Sequence, residues 1–133
     1  MERSKRNCGR ISVFKGREAK LNFAIFHILA LKGPLTIYDI RKEVRKVRLL
    51  RRKLYPVINR RVRILEQQGY VEKSGTRKTL AGSTATLYHL TPRAYLAILL
   101  NQTNLDKLVQ KADETTILEL LAALTRQLDM SVF

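Results

Sequence analysis

The sequence predicts a mainly α-helical protein with a small β-hairpin, an α+β fold class. Apolar residues recur at helical spacing in three stretches between residues 18 and 68. Two short strand-like stretches follow, and a connection rich in small and polar residues joins them. Helical apolar spacing then returns after residue 92. The 133 residues are enough for one domain with its own core and an additional helical segment.

Positive charge is concentrated in the first part of the chain. Residues 1–78 contain 22 Lys and Arg against 6 Asp and Glu, whereas residues 79–133 contain 4 against 5. Residues 41–63 alone contain 11 cations and one acid, in a chain with a net charge of +15. Charge of one sign at this density favours a polyanionic partner. Nucleic acid is preferred over an anionic membrane surface.

The N-terminal residues 1–17 are predicted to form a basic arm, which is either a solubilising tail or a further DNA contact. Cys8 is the one cysteine, so neither an internal disulfide nor a cysteine-rich zinc site is expected. No apolar run approaches the roughly 20 residues that a membrane span needs. No signal peptide is recognised. A cytoplasmic, nucleoid-associated protein is therefore expected.

The first two helices are defined by their apolar spacing and by the residues that end or cap them. A helix over residues 18–32 is apolar around most of its circumference, which is typical of a core helix. Residues 32–34, Lys-Gly-Pro, end it. Leu35 and Thr36 are predicted to form a brief edge strand, with Thr36 also the N-cap of a second helix. The apolar stripe of that second helix comprises Ile37, Ile40, Val44 and Val47.

A basic amphipathic helix is predicted over residues 52–68. Pro56 fits its first turn, where backbone N–H groups have no intrahelical partner, and Gly69 ends it. One face carries an apolar stripe, and the opposite face carries long cationic and amide side chains. Such side chains reach phosphates and base edges. The stripe comprises Ile58, Val62 and Leu65.

The hairpin and the C-terminal helices complete the prediction. Strands are expected at Tyr70–Lys73 and Ala85–Leu90, with a long tip between them. Leu87 and either Tyr88 or His89 should point inward. Thr91 is predicted to cap the next helix, with Pro92 at its first position. Thr103 and Thr116 are predicted to cap further helical segments, and either two helices or one long bent helix is possible.

Three stretches, in this order, resemble winged helix-turn-helix transcription regulators, loosely of the PadR and MarR type and of the small archaeal or archaeal-virus kind. The first stretch is Ile28-Leu29-Ala30-Leu31-Lys32-Gly33-Pro34-Leu35-Thr36-Ile37-Tyr38-Asp39-Ile40. The second is Leu54-Tyr55-Pro56 together with Arg63-Ile64-Leu65-Glu66-Gln67-Gln68-Gly69-Tyr70-Val71. The third is Leu87-Tyr88-His89-Leu90-Thr91-Pro92. The chain departs from the PadR pattern between Tyr55 and Glu66, where it is longer.

The resemblance implies a winged helix-turn-helix domain over residues 18–100, followed by a C-terminal helical segment over residues 101–133. It implies a sequence-specific, double-stranded DNA-binding transcription regulator. Residues 52–68 would be the recognition helix in the major groove, and a wing over residues 70–90 would lie on the flanking backbone.

The candidate DNA-binding residues lie on the polar side of the basic helix and around it. The residues expected to contact bases are Asn59, Arg60, Arg63 and Gln67. Those expected to contact phosphates are Lys46, Arg48, Arg51, Arg52, Lys53, Arg61, Arg77 and Lys78. Arg61 lies beside the core stripe, so it could instead meet an acid such as Glu66. Tyr38 and Tyr55 are left open between packing and phosphate contact.

A leucine-rich final helix indicates self-association. Its apolar stripe comprises Ile117, Leu121, Leu124 and Leu128. A homodimer through residues 116–128 is expected, and packing against the first helix of the same chain is the alternative. A dimer would place two recognition helices about 34 Å apart, which suits pseudo-palindromic sites.

The same sequence features are compatible with two other functions. One is a non-specific DNA-coating or chromatin protein, and another is a winged-helix protein-interaction module of the transcription or replication machinery. An enzyme is not expected, because the acids are scattered and the two histidines are not spaced with other metal ligands. No catalytic residue, cofactor or metal is predicted. The sequence leaves open whether a small-molecule effector exists.

Overall fold

The structure, a computed structural model, describes residues 11–127. Six α-helices and two β-strands follow in the order α1 (Ala19–Lys32), α2 (Ile37–Val44), α3 (Tyr55–Gln67), β1 (Val71–Lys78), β2 (Thr84–Leu90), α4 (Pro92–Gln102), α5 (Leu105–Lys111) and α6 (Glu114–Gln127). Short 3-10 turns lie at Ser12–Phe14 and Arg48–Leu50. The chain forms two compact units, and the boundary between them lies between Asn101 and Gln102. The predicted fold class, mainly α with a small hairpin, is confirmed.

The first unit is built on a three-helix core. Each of α1, α2 and α3 buries an apolar face, and Val71 of β1 closes the core. The predicted apolar circumference of α1 is buried only in part, since Phe23 and Leu31 are 42% and 71% exposed. The fully buried large side chains of the helices are Ile25, Phe26, Leu29, Ile40, Val44, Ile58, Val62 and Leu65. Val13 and Phe14, which fall in the stretch predicted as an arm, are also buried, and the Phe14 ring packs edge-on against Phe26. The arm up to residue 10, including Cys8, lies outside the described residues.

The connection from α1 to α2 follows the prediction closely. Gly33 leaves the helix with a positive φ of 75°. Leu35 then exchanges two backbone hydrogen bonds with Tyr88 of β2, at 3.0 and 2.8 Å. The Thr36 hydroxyl accepts a hydrogen bond from the Asp39 N–H at 3.1 Å, which caps α2. The edge pairing therefore joins the helical core to the hairpin.

Two boundaries around the link between α2 and α3 differ from the prediction. Val47 does not continue the apolar stripe, because α2 ends at Val44 and the side chain is 42% exposed. The basic helix begins at Tyr55, not at residue 52. A start at residue 52 would place Pro56 beyond the first turn, where its missing N–H would leave a helical carbonyl without its donor. With a start at Tyr55, Pro56 lies in the first turn. Buried Leu50 anchors the link between the two helices.

The hairpin, here called the wing, is longer than predicted. Its strands pair out to Lys78 and Thr84, whereas the sequence predicted a tip beginning at residue 74. Pairing continues past a register shift between Lys73 and Gly75 because backbone hydrogen bonds do not depend on apolar alternation. Tyr88 is the inward side chain and is 3% exposed. Leu87, which was also expected to point inward, is only half-buried, because neighbouring residues of a strand face opposite sides and Tyr88 takes the inward side.

Thr91 joins the end of α3, the wing and α4. Its hydroxyl donates to the Gly69 carbonyl at 2.6 Å and accepts from the Ala94 N–H at 3.3 Å. Its own N–H donates to the Tyr70 carbonyl at 3.1 Å. The predicted cap before Pro92 is therefore present, and it has a second role as a clamp on the turn after α3.

Replacing Thr91 with valine should lower the free energy of unfolding by about 1–2 kcal/mol, because a cap and a largely buried hydrogen bond are lost together. Urea unfolding of the two proteins would measure the change. Thr79→Val is a matched control, since Thr79 is exposed near the wing turn. An equal effect of both substitutions would contradict the proposed clamp.

The second unit contains α5 and α6 as two separate helices. Their N-caps are Asn104 and Asp113, not Thr103 and Thr116 as predicted. The Asn104 side chain accepts from the Lys107 N–H at 3.1 Å, and the Asp113 carboxylate accepts from the Thr116 N–H at 2.8 Å. An N-cap residue directly precedes the helix, and its side-chain oxygen accepts a hydrogen bond from an N–H two or three residues later. Asn104 and Asp113 directly precede α5 and α6 and meet this condition. Leu128 of the predicted stripe lies outside the described residues.

The Asp113 cap predicts a pH dependence of α6. Hydrogen bonds from the Thr116 hydroxyl and then from its N–H lower the pKa of the Asp113 carboxyl below its ordinary value. A carboxyl with a lowered folded pKa stabilises the helix above its unfolded pKa, and this contribution is lost as the pH falls through the folded pKa. The amide proton of Thr116 should therefore exchange faster as the pH falls through this range than intrinsic exchange predicts. An Asp113→Asn variant should not show this transition.

Candidate nucleic-acid interface

The residues predicted to contact bases lie together on the solvent side of α3. Arg60, Arg63 and Gln67 are exposed, and Asn59 is half-buried beside them. They lie opposite the buried stripe because residues three, four and seven apart share one face of a helix. All four therefore occupy one surface, here called the reading face. The sequence correctly predicted the buried stripe opposite to it, and the base contacts themselves stay a prediction.

A side-chain hydrogen bond orders part of the reading face. The Arg63 Nε donates to the Asn59 Oδ1 at 3.2 Å, one helical turn away. The Asn59 amide N–H groups and the remaining guanidinium N–H groups of Arg63 take no part in this bond, so they can donate to other acceptors. Guanine O6 and N7 in the major groove are acceptors of the kind that a guanidinium binds in pairs. The arrangement thus presents a row of donors on a helix of about 20 Å length.

Exposed cations occupy the link that leads into α3. Arg48, Arg51 and Arg52 are exposed, and Lys53 is half-buried. The Arg45 Nε donates to the Arg51 carbonyl at 2.9 Å, which holds this link against the end of α2. The sequence did not single out Arg45, since the bond depends on a turn that is not visible in the apolar spacing. The link therefore places several cations next to the start of the reading face.

Lys46 is already paired within the protein. Its Nζ lies 3.1 Å from Glu43, and Lys32 lies 3.6 Å from the same carboxylate. The hydrogen bond from Lys46 is the main reason that the pKa of Glu43 is below its ordinary value, and burial opposes this shift. Exposed ion pairs of this kind are weak, so a phosphate can compete for Lys46.

Arg61 differs from the other candidate phosphate contacts. Its side chain is only 14% exposed, and its Nη2 lies 3.6 Å from Glu18 at the start of α1. The acid that it meets is therefore Glu18 and not Glu66. The structure places Arg61 against α1, away from the reading face. Its predicted phosphate contact has no support from this position.

The wing brings one of its two predicted phosphate contacts back to the helical core. The Arg77 Nη2 lies 2.9 Å from the Asp39 carboxylate of α2, and Lys78 is exposed at the end of β1. The pair joins residues that are far apart in sequence, and no local pattern could predict it.

Two tyrosines that the sequence left open lie on the surface. Tyr55 is 41% exposed at the first residue of α3, and Tyr38 is 56% exposed on α2. The Lys42 Nζ lies 5.7 Å from the centre of the Tyr38 ring, a cation–π distance. Tyr88 differs from both, because burial raises the pKa of its hydroxyl. Tyr88 is therefore a packing residue of the core, whereas the exposed rings of Tyr38 and Tyr55 are not accounted for by core packing.

Residues 11–127 contain neither a candidate metal site nor a membrane-spanning helix. No group of three or more His, Cys, Asp and Glu residues in this range could hold a metal ion. No helix in the same range has the length and apolar character needed to cross a membrane.

The sequence matches no protein-family model and no curated protein. Solved structures similar to this one include three bacterial proteins, each at no more than 20% sequence identity. Diamide-treated YodB from Bacillus subtilis has a TM-score of 0.52 and 20% identity, and the match covers 77% of this chain and 88% of that chain. A PadR-like transcriptional regulator from Bacillus cereus has a TM-score of 0.51 and 15% identity, and the match covers 80% of this chain and 97% of that chain.

Bacillus subtilis PadR in complex with operator DNA is the third structure. It has a TM-score of 0.51 and 20% identity, and the match covers 84% of this chain and 63% of that chain. Identities this low establish a shared fold and nothing further. The mainly helical architecture with a two-stranded antiparallel hairpin is consistent with this shared fold. The chain therefore has the winged helix-turn-helix fold, as the resemblance to PadR-type regulators implied.

Proposed function

We propose that this protein is a sequence-specific, double-stranded DNA-binding transcription regulator that acts without catalysis in the cytoplasm, associated with the nucleoid. The observation that carries the proposal is the reading face, where Asn59, Arg60, Arg63 and Gln67 project from a helix anchored in the core. These are the side-chain types that recognise guanine and adenine edges. The solved complex of Bacillus subtilis PadR with operator DNA, which shares this fold, also supports the proposal.

In this proposal each part of the first unit has a separate task. α3 enters the major groove, and the reading face contacts base edges. The cations of the link, Arg48, Arg51 and Arg52, bind phosphates at the groove edge and fix the register of α3. The wing over residues 70–90 binds the flanking backbone through Lys78 and Arg77. Phosphate contacts supply affinity, and the reading face supplies sequence preference.

Selection of bound duplexes from a random pool would test the proposal. Sequence-specific recognition predicts enrichment of a short motif whose central bases are protected from chemical modification by the protein. Enrichment should persist at the higher of two salt concentrations, since base contacts are less salt-dependent than phosphate contacts. A pool that stays random at both salt concentrations would refute the proposal and favour a non-specific DNA-coating protein.

We also infer that the protein forms a homodimer through residues 116–128. None of the described side chains of α6 is buried, and three of its exposed leucines follow one another at intervals of three residues. Leu118, Leu121 and Leu124 are 60%, 54% and 57% exposed. Such a row is costly in water unless another surface covers it. A dimer would present two reading faces to one pseudo-palindromic site.

Sedimentation velocity of the full chain would test the dimer. The protein should sediment as a dimer, and Leu121→Asn with Leu124→Asn should sediment as a folded monomer. Leu80→Asn is the control, because Leu80 is fully exposed at the wing turn, and it should remain a dimer. A monomeric wild-type protein would refute this interface and favour packing of α6 within its own chain.

A further inference from the structure

The outer part of β1 has little apolar packing of its own. In β1 only Val71 is buried, and the remaining residues out to Lys78 are exposed, whereas residues 85–87 of the facing strand β2 are half-buried. Near its base the wing is held by the backbone pairing of Tyr88 with Leu35. Gly75, with a φ of 151°, lies between this base and the outer residues. A side-chain contact between the outer part of β1 and the helical core would therefore help to fix the orientation of the outer wing.

The Asp39–Arg77 ion pair is such a contact. Asp39 lies in the first turn of α2, and its N–H is fixed by the Thr36 cap. Its side chain is 20% exposed, so the carboxylate is partly shielded from water. Arg77 lies opposite Ala85 in the outer part of the hairpin, and its side chain is 53% exposed. Asp39, fixed on α2, thus holds Arg77 on the exposed strand β1.

The geometry leaves Arg77 able to bind a second anion. A guanidinium carries five N–H donors in a planar fork, and one Nη faces Asp39 at 2.9 Å. Half of the side chain remains open to solvent, where a phosphate oxygen can approach. Asp39 would then direct the guanidinium towards the DNA without touching DNA itself.

We propose that Asp39 is a positioning residue that holds the wing, through Arg77, in the orientation that binds the DNA backbone. This inference rests on the proposed DNA-binding function. The positioning role and simple charge repulsion predict opposite effects of removing Asp39 on DNA affinity. Removing an acid from a DNA-binding surface should strengthen binding to a polyanion, whereas loss of the positioning contact should weaken it.

Binding of the duplex selected with the wild-type protein would distinguish the two effects. Asp39→Ala should bind roughly twofold to fivefold more weakly, the effect typical of an exposed ion pair. The dependence of log affinity on log salt should fall by about one phosphate contact. Hydroxyl-radical protection of the flanking backbone should be lost while protection at the central motif remains.

Matched variants test whether Asp39 affects DNA binding through its contact with Arg77. Glu72→Ala removes the same charge from the inner end of β1, where it pairs with His89 at 2.8 Å, and should leave flank protection unchanged. Asp39→Glu should restore most of the binding. Combining Asp39→Ala with Arg77→Ala should weaken binding no further than Arg77→Ala alone, because both changes break one contact.

The free protein provides a test that does not require DNA. In ¹⁵N relaxation measurements, amides of residues 75–84 should become more mobile on the ps–ns timescale in Asp39→Ala, with the core unchanged. Unchanged wing dynamics, or binding as tight as wild type with full flank protection, would overturn the positioning role. If the wild-type protein selects no motif, the proposed function fails, and the relaxation data still decide whether Asp39 holds the wing.

Discussion

Replacing Arg60 with alanine is expected to weaken binding of the selected duplex by about 1–3 kcal/mol, the range for a side chain that contacts a base in pairs. This is roughly a fivefold to 150-fold change in dissociation constant. Arg60 is exposed on the reading face, and no ion pair within residues 11–127 engages it. Its guanidinium is therefore available to a guanine edge. Repeating the selection with the variant should show a relaxed preference at one base pair.

Arg51→Ala is the matched control for Arg60→Ala. Arg51 is equally a surface arginine, but it lies in the link before α3, where a phosphate contact is predicted. Its loss should weaken binding of all sequences alike and reduce the salt dependence by about one phosphate. Arg60→Ala would contradict the assignment if it weakened all duplexes equally and left the preferred motif unchanged.

Replacing Leu65 with alanine is expected to lower the free energy of unfolding by about 2–5 kcal/mol. Leu65 has no exposed surface and lies in the core stripe of α3, so its removal leaves a cavity beneath the reading face. A small domain is stable by only about 5–15 kcal/mol, so a large part of the total would be lost. Urea unfolding followed by circular dichroism would measure the change.

The same substitution at an exposed site provides the control. Leu80 is fully exposed at the wing turn, and Leu80→Ala should change the free energy of unfolding by no more than about 0.5 kcal/mol. Similar values for both variants would contradict the assignment of Leu65 to the core. At temperatures where Leu65→Ala remains folded, its binding should be close to wild type, since the reading face is unchanged.

The sequence was sufficient to predict the helical core, because the features that define it are local. Apolar spacing identified the buried faces of all three core helices, and Gly33 and Gly69 marked helix ends through positive φ angles of 75° and 87°. Thr36 and Thr91 were recognised as caps because each directly precedes a clear helical pattern. Each inference used residues within about two turns of one another.

The features that could not be predicted depend on distant or competing residues. The Asp39–Arg77 and Glu18–Arg61 pairs join segments that only the folded chain brings together. The wing is longer than expected because hairpin pairing is a backbone property, and the outer residues of β1 have no apolar alternation.

The caps of α5 and α6 were missed for a different reason. Thr103 and Asn104 are adjacent residues that can both cap a helix, and sequence alone does not rank them. Thr116 and Asp113 present the same choice at the start of α6, and hydrogen bonding in the structure assigns the cap to Asp113.

The ratio of the dissociation constants for the selected duplex and for a scrambled duplex of the same composition tests the central proposal most directly. It should be measured at two salt concentrations for the wild-type protein. If the reading face recognises bases, the selected duplex should bind about a thousandfold or more tightly than the scrambled one. Both affinities should fall with salt, while the preference persists. A ratio near one at both salt concentrations would contradict sequence-specific recognition.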